Sequence, residues 1–599
     1  VKLVNPFGSG RRSISRSPDF QRIANLATRG SFDAAELTRE MTEALKTPNG
    51  TMKLRPVQAQ ALYELMVYGG LVGAMGVGTG KTLVFLLASV VLNLKRAKGL
   101  LPASLIDKTE RERRELAQHW RVDRGMGFIS YEALGRVNAA TLLDTARPDG
   151  LITDESHRLK NPKAACTRRV SRYLKEHPDT KFVSMSGTLL GKSLRDMAHL
   201  VRWSLGADAS PIPKTEGELE EWADALDERV NPLQRVRPGV LLELAAKKIS
   251  DDCGACCGYG VAGPGPCDEC GGTGKATGSK GELSRARRAF HERLVSTPGI
   301  VCSLHAEQVN CSLYVRGATY DVNAATEKNF ETLRTLWETP DGWALSEAVD
   351  VWRHARELAL GFHYVWDPRP PDEWLMARRA WAKFVRDFLS KSRTLDSEKQ
   401  VALACAKGEI DNVEYTAWLA VKDTFTINQK AVWHDESALE ICQRWLEREK
   451  GICWVDHTFF GRELSRRTTL PYFGQNGLDS KGNSILDAKG PIIASVSANG
   501  TGKNLQAWSK NLITCCPTGA SVWEQLLGRT HRTGQLADQV ECDVLIGCIE
   551  HVDAWKRAEA EAQMASEMLG QPQKILVSDV SMPEVDHLPG ARWRKTNKG

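Results

Sequence analysis

The chain has 599 residues, 42% of them hydrophobic and 26% charged, and a formal net charge of +6. That length exceeds what one hydrophobic core serves, so two large lobes with inserted or appended modules are expected. The longest near-apolar run, Thr82 to Leu94, is too short to cross a bilayer, and the small positive charge permits nucleic-acid binding without demanding it.

Residues 1–50 read as a basic N-terminal arm with a short helical lead-in. "GSGRRSISRS" lacks an apolar secretory core, so export is not expected, and the first residue is Val, which leaves room for an upstream piece. Residues 51–206 alternate β- and α-type patterns, as a parallel sheet covered by helices requires. Within them, "YGGLVGAMGVGTGKTLVFLLASVVL" passes from an apolar strand through a glycine-rich turn into an apolar segment of helical length. Backbone N–H groups of such a turn, which holds Gly78 and Gly80, cradle phosphates. Lys81 would reach the β/γ-phosphates and the Thr82 hydroxyl would hold Mg²⁺. Met75 stands where the first glycine of the strict GxxxxGKT pattern belongs, and a glycine turn without a ligand is the plain alternative. Downstream, "GLITDESHRLKN" ends an apolar strand-like run in Asp154 and Glu155. An acid at a strand end can complete a magnesium shell, and its neighbour can orient or deprotonate the attacking water.

Residues 207–300 are rich in Pro, Gly and charge and read as an insertion. Its segment 253–274 contains Cys253-x-x-Cys256 and Cys267-x-x-Cys270, each followed by a Gly-x-Gly. Four thiolates in two such pairs suit one tetrahedral Zn²⁺, and the scatter of the other cysteines favours a reducing cytoplasm. A zinc staple for a segment with too little core is preferred over a DNA- or protein-contacting role. Residues 301–434 read as mainly helical. Eight of the 17 tryptophans fall there, and core is preferred over a base-stacking platform because aromatic side chains dominate burial. In 435–560, a second lobe, "GICWVDHTFFGREL" reads as a buried strand entering a helix. Further on, "QLLGRTHRTGQ" packs Arg529, His531 and Arg532 with no acid, for either a nucleic-acid backbone or a nucleotide phosphate. Residues 561–599 form a helical and basic tail.

Taken in order, these stretches resemble the Swi/Snf-type branch of the superfamily-two helicase-like ATPases, of phage or bacterial type. "LRPVQAQAL" is similar to the family's entry motif and implies that Gln58 reads adenine. "GLLPASLI" before "LAQHW" implies that Pro102 and Ser104 lie near the bound strand, and "ISYEAL" adds Ser130. "SGTLLGKS" resembles the coupling motif, with Ser186 and Thr188. "SVSANGTGKNLQ" implies DNA contacts at Gly500 and Thr501, and Gln525 to Gln535 fits QxxxRxHRxGQ, with Gln525 in coupling. Arg529 and Arg532 would then complement charge on the γ-phosphate. Leu189, Lys192 and Ser497 depart from the family's Pro, Asn and Arg.

The resemblance implies an α/β fold of two RecA-like parallel-sheet lobes with helical protrusions and a small zinc-knuckle insertion, with ATP and Mg²⁺ bound between the lobes. The expected activity is ATP-driven translocation on double-stranded DNA through backbone contacts, by a monomer in the cytoplasm of a bacterial or phage-infected cell. The CxxCxGxG repeat resembles the cysteine-rich region of DnaJ chaperones, as a metal knot only. A strand-separating helicase, or the motor of a restriction or recombination system, is the second enzymatic reading. A catalytically decayed, zinc-dependent scaffold binding nucleic acid or protein is the reading of another class. A protein partner through the zinc insert or the tail is allowed for, and no membrane.

Overall fold

The computed structural model describes residues 12–76, 78–228, 230, 235–245, 252, 259, 261–262, 265–266, 273–275, 278–303, 309, 311–392, 394–583 and 585–591. The chain divides into two compact units, Val1–Glu307 with Ala560–Gln573 and Gln308–Glu559 with Lys574–Gly599.

The first unit contains β1 (Leu71–Ala74), β2 (Lys98–Leu101), β3 (Gly127–Ser130), β4 (Gly150–Thr153) and β5 (Lys181–Ser186). A short antiparallel pair, β6 (Val261–Ala262) and β7 (Gly265–Pro266), precedes β8 (Ile300–Cys302). Its six-stranded sheet runs β3-β2-β4-β5-β1-β8, parallel throughout. Parallel strands are covered on both faces, so they are short apolar runs rather than alternating ones. Alternation survives as sidedness. Val72, Leu100, Leu151 and Phe182 enter one core, while their chain neighbours Leu71, Leu101, Ile152 and Val183 enter the other. The helix Lys81–Val91 lies in the second core, with Leu83 through Ala88 all buried.

This unit is larger than composition implies. Ile14, Phe20 and Ile23 join its first core, and Arg22 donates to the carbonyls of Ser210 (2.7 Å) and Ile212 (3.0 Å). Much of the region read as a basic arm is therefore packed structure. The core also continues past 206, through Ile212, Leu219 and Trp222 and through Phe290 and Leu294 of the helix Gly278–Ser296. The polar faces of these helices lower the average hydropathy of the stretch and conceal its buried stripe. Cys253, Cys256, Cys267 and Cys270 lie outside the described residues.

The second unit holds β9 (Ser312–Thr319), β10 (Phe362–Trp366), β11 (Gln429–Trp433), β12 (Ile452–Val455), β13 (Tyr472–Phe473), β14 (Ile492–Ser495), β15 (Lys510–Ile513), β16 (Gln539–Ile546) and β17 (Asp579–Ser581). Its seven-stranded parallel sheet runs β13-β14-β12-β15-β16-β9-β17, and β10 pairs with β11 antiparallel. Two of those strands fall outside the expected span 435–560. β9 comes from the stretch read as helical and pairs with β16 across eight residues, and β17 comes from the tail. The sequence "SLYVRGAT" alternates only weakly, and its partner is more than 200 positions away, so no local pattern announces it. The fold is thus α/β with two parallel sheets, and among the described residues no helix is long and apolar enough to cross a membrane.

Candidate nucleotide and nucleic-acid sites

In the first unit the glycine-rich loop leaves the carboxyl end of β1 and enters the helix at Lys81. Gly78 and Gly80 adopt φ of +85° and +80°, a region side chains other than glycine rarely occupy. A Cβ at Gly80 would also stand 2.2 Å from Gln58 Nε2. Gln58 packs against this loop. Its buried amide donates to the Thr79 carbonyl (3.3 Å) and the Gly80 carbonyl (3.1 Å), and its Oε1 accepts from Arg55 N–H (2.8 Å). Arg55 itself donates from Nη1 to the Gly78 carbonyl at 2.6 Å. Lys81 folds back over the loop, with Nζ 3.0 Å from the Met75 and Gly76 carbonyls. Thr82 is half-buried in the same first helical turn.

Asp154 and Glu155 follow β4, and Tyr131 Oη donates to the Asp154 carbonyl at 2.7 Å. The Glu155 N–H donates to Asp154 Oδ1 (3.0 Å), and Glu155 has φ of +52°. Burial first, and then the Glu155 carboxylate, push the Asp154 carboxyl well above the ordinary carboxylate range, while the Lys81 ammonium pulls it back. Lys81 and Asp154 therefore feel each other's charge. This is a buried carboxylate with one N–H to satisfy it and a cation nearby, a donor set that fits a divalent ion and a phosphate.

β5 runs between β4 and β1, so its last residue, Ser186, stands between the two motifs. The Ser186 carbonyl accepts from Met75 N–H at 3.2 Å, and its hydroxyl lies 3.0 Å from His157 Nδ1. The same nitrogen is 3.2 Å from Thr188 Oγ1 and 3.3 Å from Glu155 Oε2. His157 thus joins Ser186 and Thr188 to the acidic pair. Pro102 is buried at the end of β2 and Ser104 is exposed beside it. Ser130 is buried with its hydroxyl accepting from Ala133 N–H (2.9 Å), so it caps a short helix. Leu189 is buried and Lys192 exposed.

In the second unit a cavity of about 290 Å³ gathers Ser497, Gly500, Thr501 and Gln525 with Arg356 and Asp456. Thr501 Oγ1 donates to Gln525 Oε1 at 3.1 Å, linking a residue expected on DNA to one expected in coupling. Burial pushes the nearby Lys503 ammonium down to about 8, and its Nζ donates to Asn499 Oδ1 at 2.8 Å. Arg529 is buried. Its Nε donates to the Gln525 carbonyl (2.7 Å) and its Nη1 to the Lys503 carbonyl (3.0 Å), fastening the helix Ala520–Thr530 to the glycine-rich segment. Arg532 is half-buried and donates from Nη1 to Asn504 Oδ1.

Sequence reasoning missed Arg55, Arg356, Asp456 and Ser303, whose hydroxyl accepts from Gly76 N–H at 2.8 Å. Arg55 carried a signal, since it opens the helix that contains Gln58. Ser303 and Arg356 carried none, because each lies outside every recognisable motif. No family model matches the chain, and no curated protein matches it.

Proposed function

We propose that the chain is an ATP-hydrolysing DNA translocase of the Swi/Snf-like helicase type, built on two RecA-like lobes and acting on double-stranded DNA. The observation that carries this reading is the convergence of Lys81, Asp154 and Glu155 beyond the carboxyl ends of β1 and β4, with Ser186 of β5 between them. In open α/β sheets that edge is where ligands bind. Lys81 would exchange its two loop carbonyls for β/γ-phosphate oxygens. Thr82 and Asp154 would hold Mg²⁺, which when bound supplies charge neutralisation on the phosphates. Glu155 would orient and deprotonate the attacking water. Arg532 would complement charge that develops on the γ-phosphate, and Arg529 would fix the segment that carries it. Ser104, Gly500 and Thr501 would grip the DNA backbone, which implies little sequence specificity and a steep salt dependence. Cys253, Cys256, Cys267 and Cys270 would hold Zn²⁺ as a staple of the insertion.

The test is phosphate release measured with duplex DNA, single-stranded DNA, RNA and no nucleic acid. Stimulation by duplex that Lys81→Ala and Glu155→Gln abolish is the expected result. Unchanged release in those variants would refute the reading. Strand displacement without any need for duplex tracking would replace translocation by unwinding.

A further inference from the structure

The second unit carries another cavity, of about 620 Å³, that shares no lining residue with the one around Gly500 and Gln525. Trp343, Trp366 of β10, Gln429 of β11 and Arg369 contribute to it, and the helix Asp372–Lys391 adds Arg378 and Arg379. The Arg369 guanidinium lies 4.7 Å from the Trp343 ring centre, and that of Arg378 lies 5.7 Å from Trp366 and 5.1 Å from Trp374. The Trp343 and Trp366 ring centres are 6.2 Å apart. Stacking on a ring holds a guanidinium flat through its face and leaves its edge N–H donors available.

Three acids line the cavity too, each set against a group other than Arg369, Arg378 or Arg379: Asp350 pairs with Arg353, also on the lining, at 3.3 Å, and Asp341 lies 3.4 Å from His363 Nε2. Glu357 Oε2 is 3.0 Å from His354 Nδ1. Among the described residues Arg369, Arg378 and Arg379 have no carboxylate partner. The positive charge continues along the helix through Lys383 and Arg386, four and seven positions beyond Arg379. Both are exposed and likewise without a carboxylate partner among the described residues. At 1.5 Å per residue such neighbours stand roughly 5–6 Å apart on one face.

We propose that this cavity and its basic stripe bind single-stranded nucleic acid, taking one base among the indole and guanidinium planes and laying the adjoining phosphates along Arg378, Arg379, Lys383 and Arg386. Cations with free edge donors call for phosphate, and flat aromatic walls call for a base. An acidic peptide would answer only the first. A duplex keeps its bases stacked inside and would answer only the stripe. A volume within roughly 300–1,000 Å³ is that of a small-molecule site and admits one nucleotide. The combination of a basic track with aromatic side chains is the general solution for unpaired strands. The inference goes beyond the ATPase reading and stands whether or not the chain hydrolyses ATP.

Binding of fluorescein-labelled oligo-dT and oligo-U, and of a blunt duplex of equal length, is measured by anisotropy on the full chain without nucleotide. Arg378→Ala with Arg379→Ala is expected to weaken single-strand binding at least tenfold, and Arg378→Lys with Arg379→Lys to restore most of it. Trp343→Leu is expected to weaken single-strand binding about tenfold, the worth of one stacked base, and to leave duplex binding within about twofold. Because Trp343→Leu can disturb folding, Ala382→Glu, at an exposed helical position on the cavity wall, provides a second probe and is expected to match the arginine pair. An iodouracil-substituted strand is expected to cross-link to the peptide holding Trp343 or Trp366. Wild-type single-strand binding in both the arginine pair and Ala382→Glu overturns the proposal. Equal loss of single-strand and duplex binding in Trp343→Leu also overturns it, since the stripe would then act without a base site.

Discussion

His157 offers a quantitative test of how Ser186 and Thr188 reach the acidic pair. One nitrogen, Nδ1, stands 3.0 Å from Ser186 Oγ, 3.2 Å from Thr188 Oγ1 and 3.3 Å from Glu155 Oε2. Protonated, it donates to one acceptor. Unprotonated, it accepts from a hydroxyl. The serine, the threonine and the carboxylate therefore compete for a single atom, and whatever shifts β5 or the loop after it changes how Glu155 is held. Removing a hydrogen bond to a charged group costs about 1.5–3 kcal/mol, so His157→Ala is expected to lower duplex-stimulated turnover by roughly ten- to a hundredfold. Ser186→Ala removes a neutral bond, about 1 kcal/mol, and is expected to cost several-fold. If both act through Nδ1, the double variant is no slower than His157→Ala alone, a coupling of about 1 kcal/mol. Steady-state phosphate release at saturating duplex, run for the wild type, both singles and the double, reads the cycle directly. Additivity within about 0.3–0.5 kcal/mol would show that Ser186 and His157 contribute independently and would refute the junction.

Other outcomes follow from single side chains. Gln58→Ala removes both donors to the loop carbonyls and is expected to weaken ATP and GTP analogues together by about tenfold in fluorescent-nucleotide displacement; loss confined to ATP would instead mean adenine reading. Arg532→Ala is expected to lower turnover far more than DNA affinity. Arg529→Ala is expected to lower turnover and also the urea midpoint of the second unit, because the bond to the Lys503 carbonyl that ties the glycine-rich segment to the helix is lost. His551 is buried, with Nδ1 accepting from Gly547 N–H at 3.3 Å, and burial, helped by Arg356 and His457, pushes its imidazole down to about 3. Between about pH 6.5 and 3 the unfolded chain therefore takes up a proton that the folded chain refuses. Stability from this group is expected to be complete above that range, to fall by up to about 1.4 kcal/mol per pH unit as pH drops through it, and to level off below it. Urea midpoints at neutral and mildly acidic pH should show the loss in the wild type and much less of it in His551→Gln.

The glycine-rich loop and the acidic pair were legible because each is written in one contiguous stretch. An apolar strand, a turn with glycines at positive φ and an apolar helix must follow one another in the chain to make the first, and β4 ends where its apolar run ends. What was not legible depends on partners far away in sequence. β9 becomes a sheet strand only because β16 lies beside it, and Ser303 reaches the loop only because β8 pairs with β1. Arg356 lies in a helix whose sequence, "AVDVWRHARELA", records amphipathicity and nothing of the cavity it faces.

A second kind of information was also missing from the motifs, namely which of their polar groups are already engaged. Gln58, Ser130 and Arg529 each read as groups facing a ligand, yet each makes hydrogen bonds to its own backbone surroundings. Lys81 does the same, with a difference that decides its role. Lys81 is itself only half-buried and its two bonds go to the Met75 and Gly76 carbonyls, so exchanging them for phosphate oxygens replaces neutral acceptors by charged ones and is favourable. Arg529 is buried, and withdrawing it would take from the Lys503 carbonyl its guanidinium donor, at about 1–3 kcal/mol for a buried group left unsatisfied, and release the glycine-rich segment from the helix Ala520–Thr530. The same residue type in the same motif can therefore be a ligand in one place and a strut in another, and local burial separates the two. By that criterion Lys81 and Arg532 are the cations to which the proposed activity gives a phosphate, while Arg529 holds in place the backbone from which Arg532 extends.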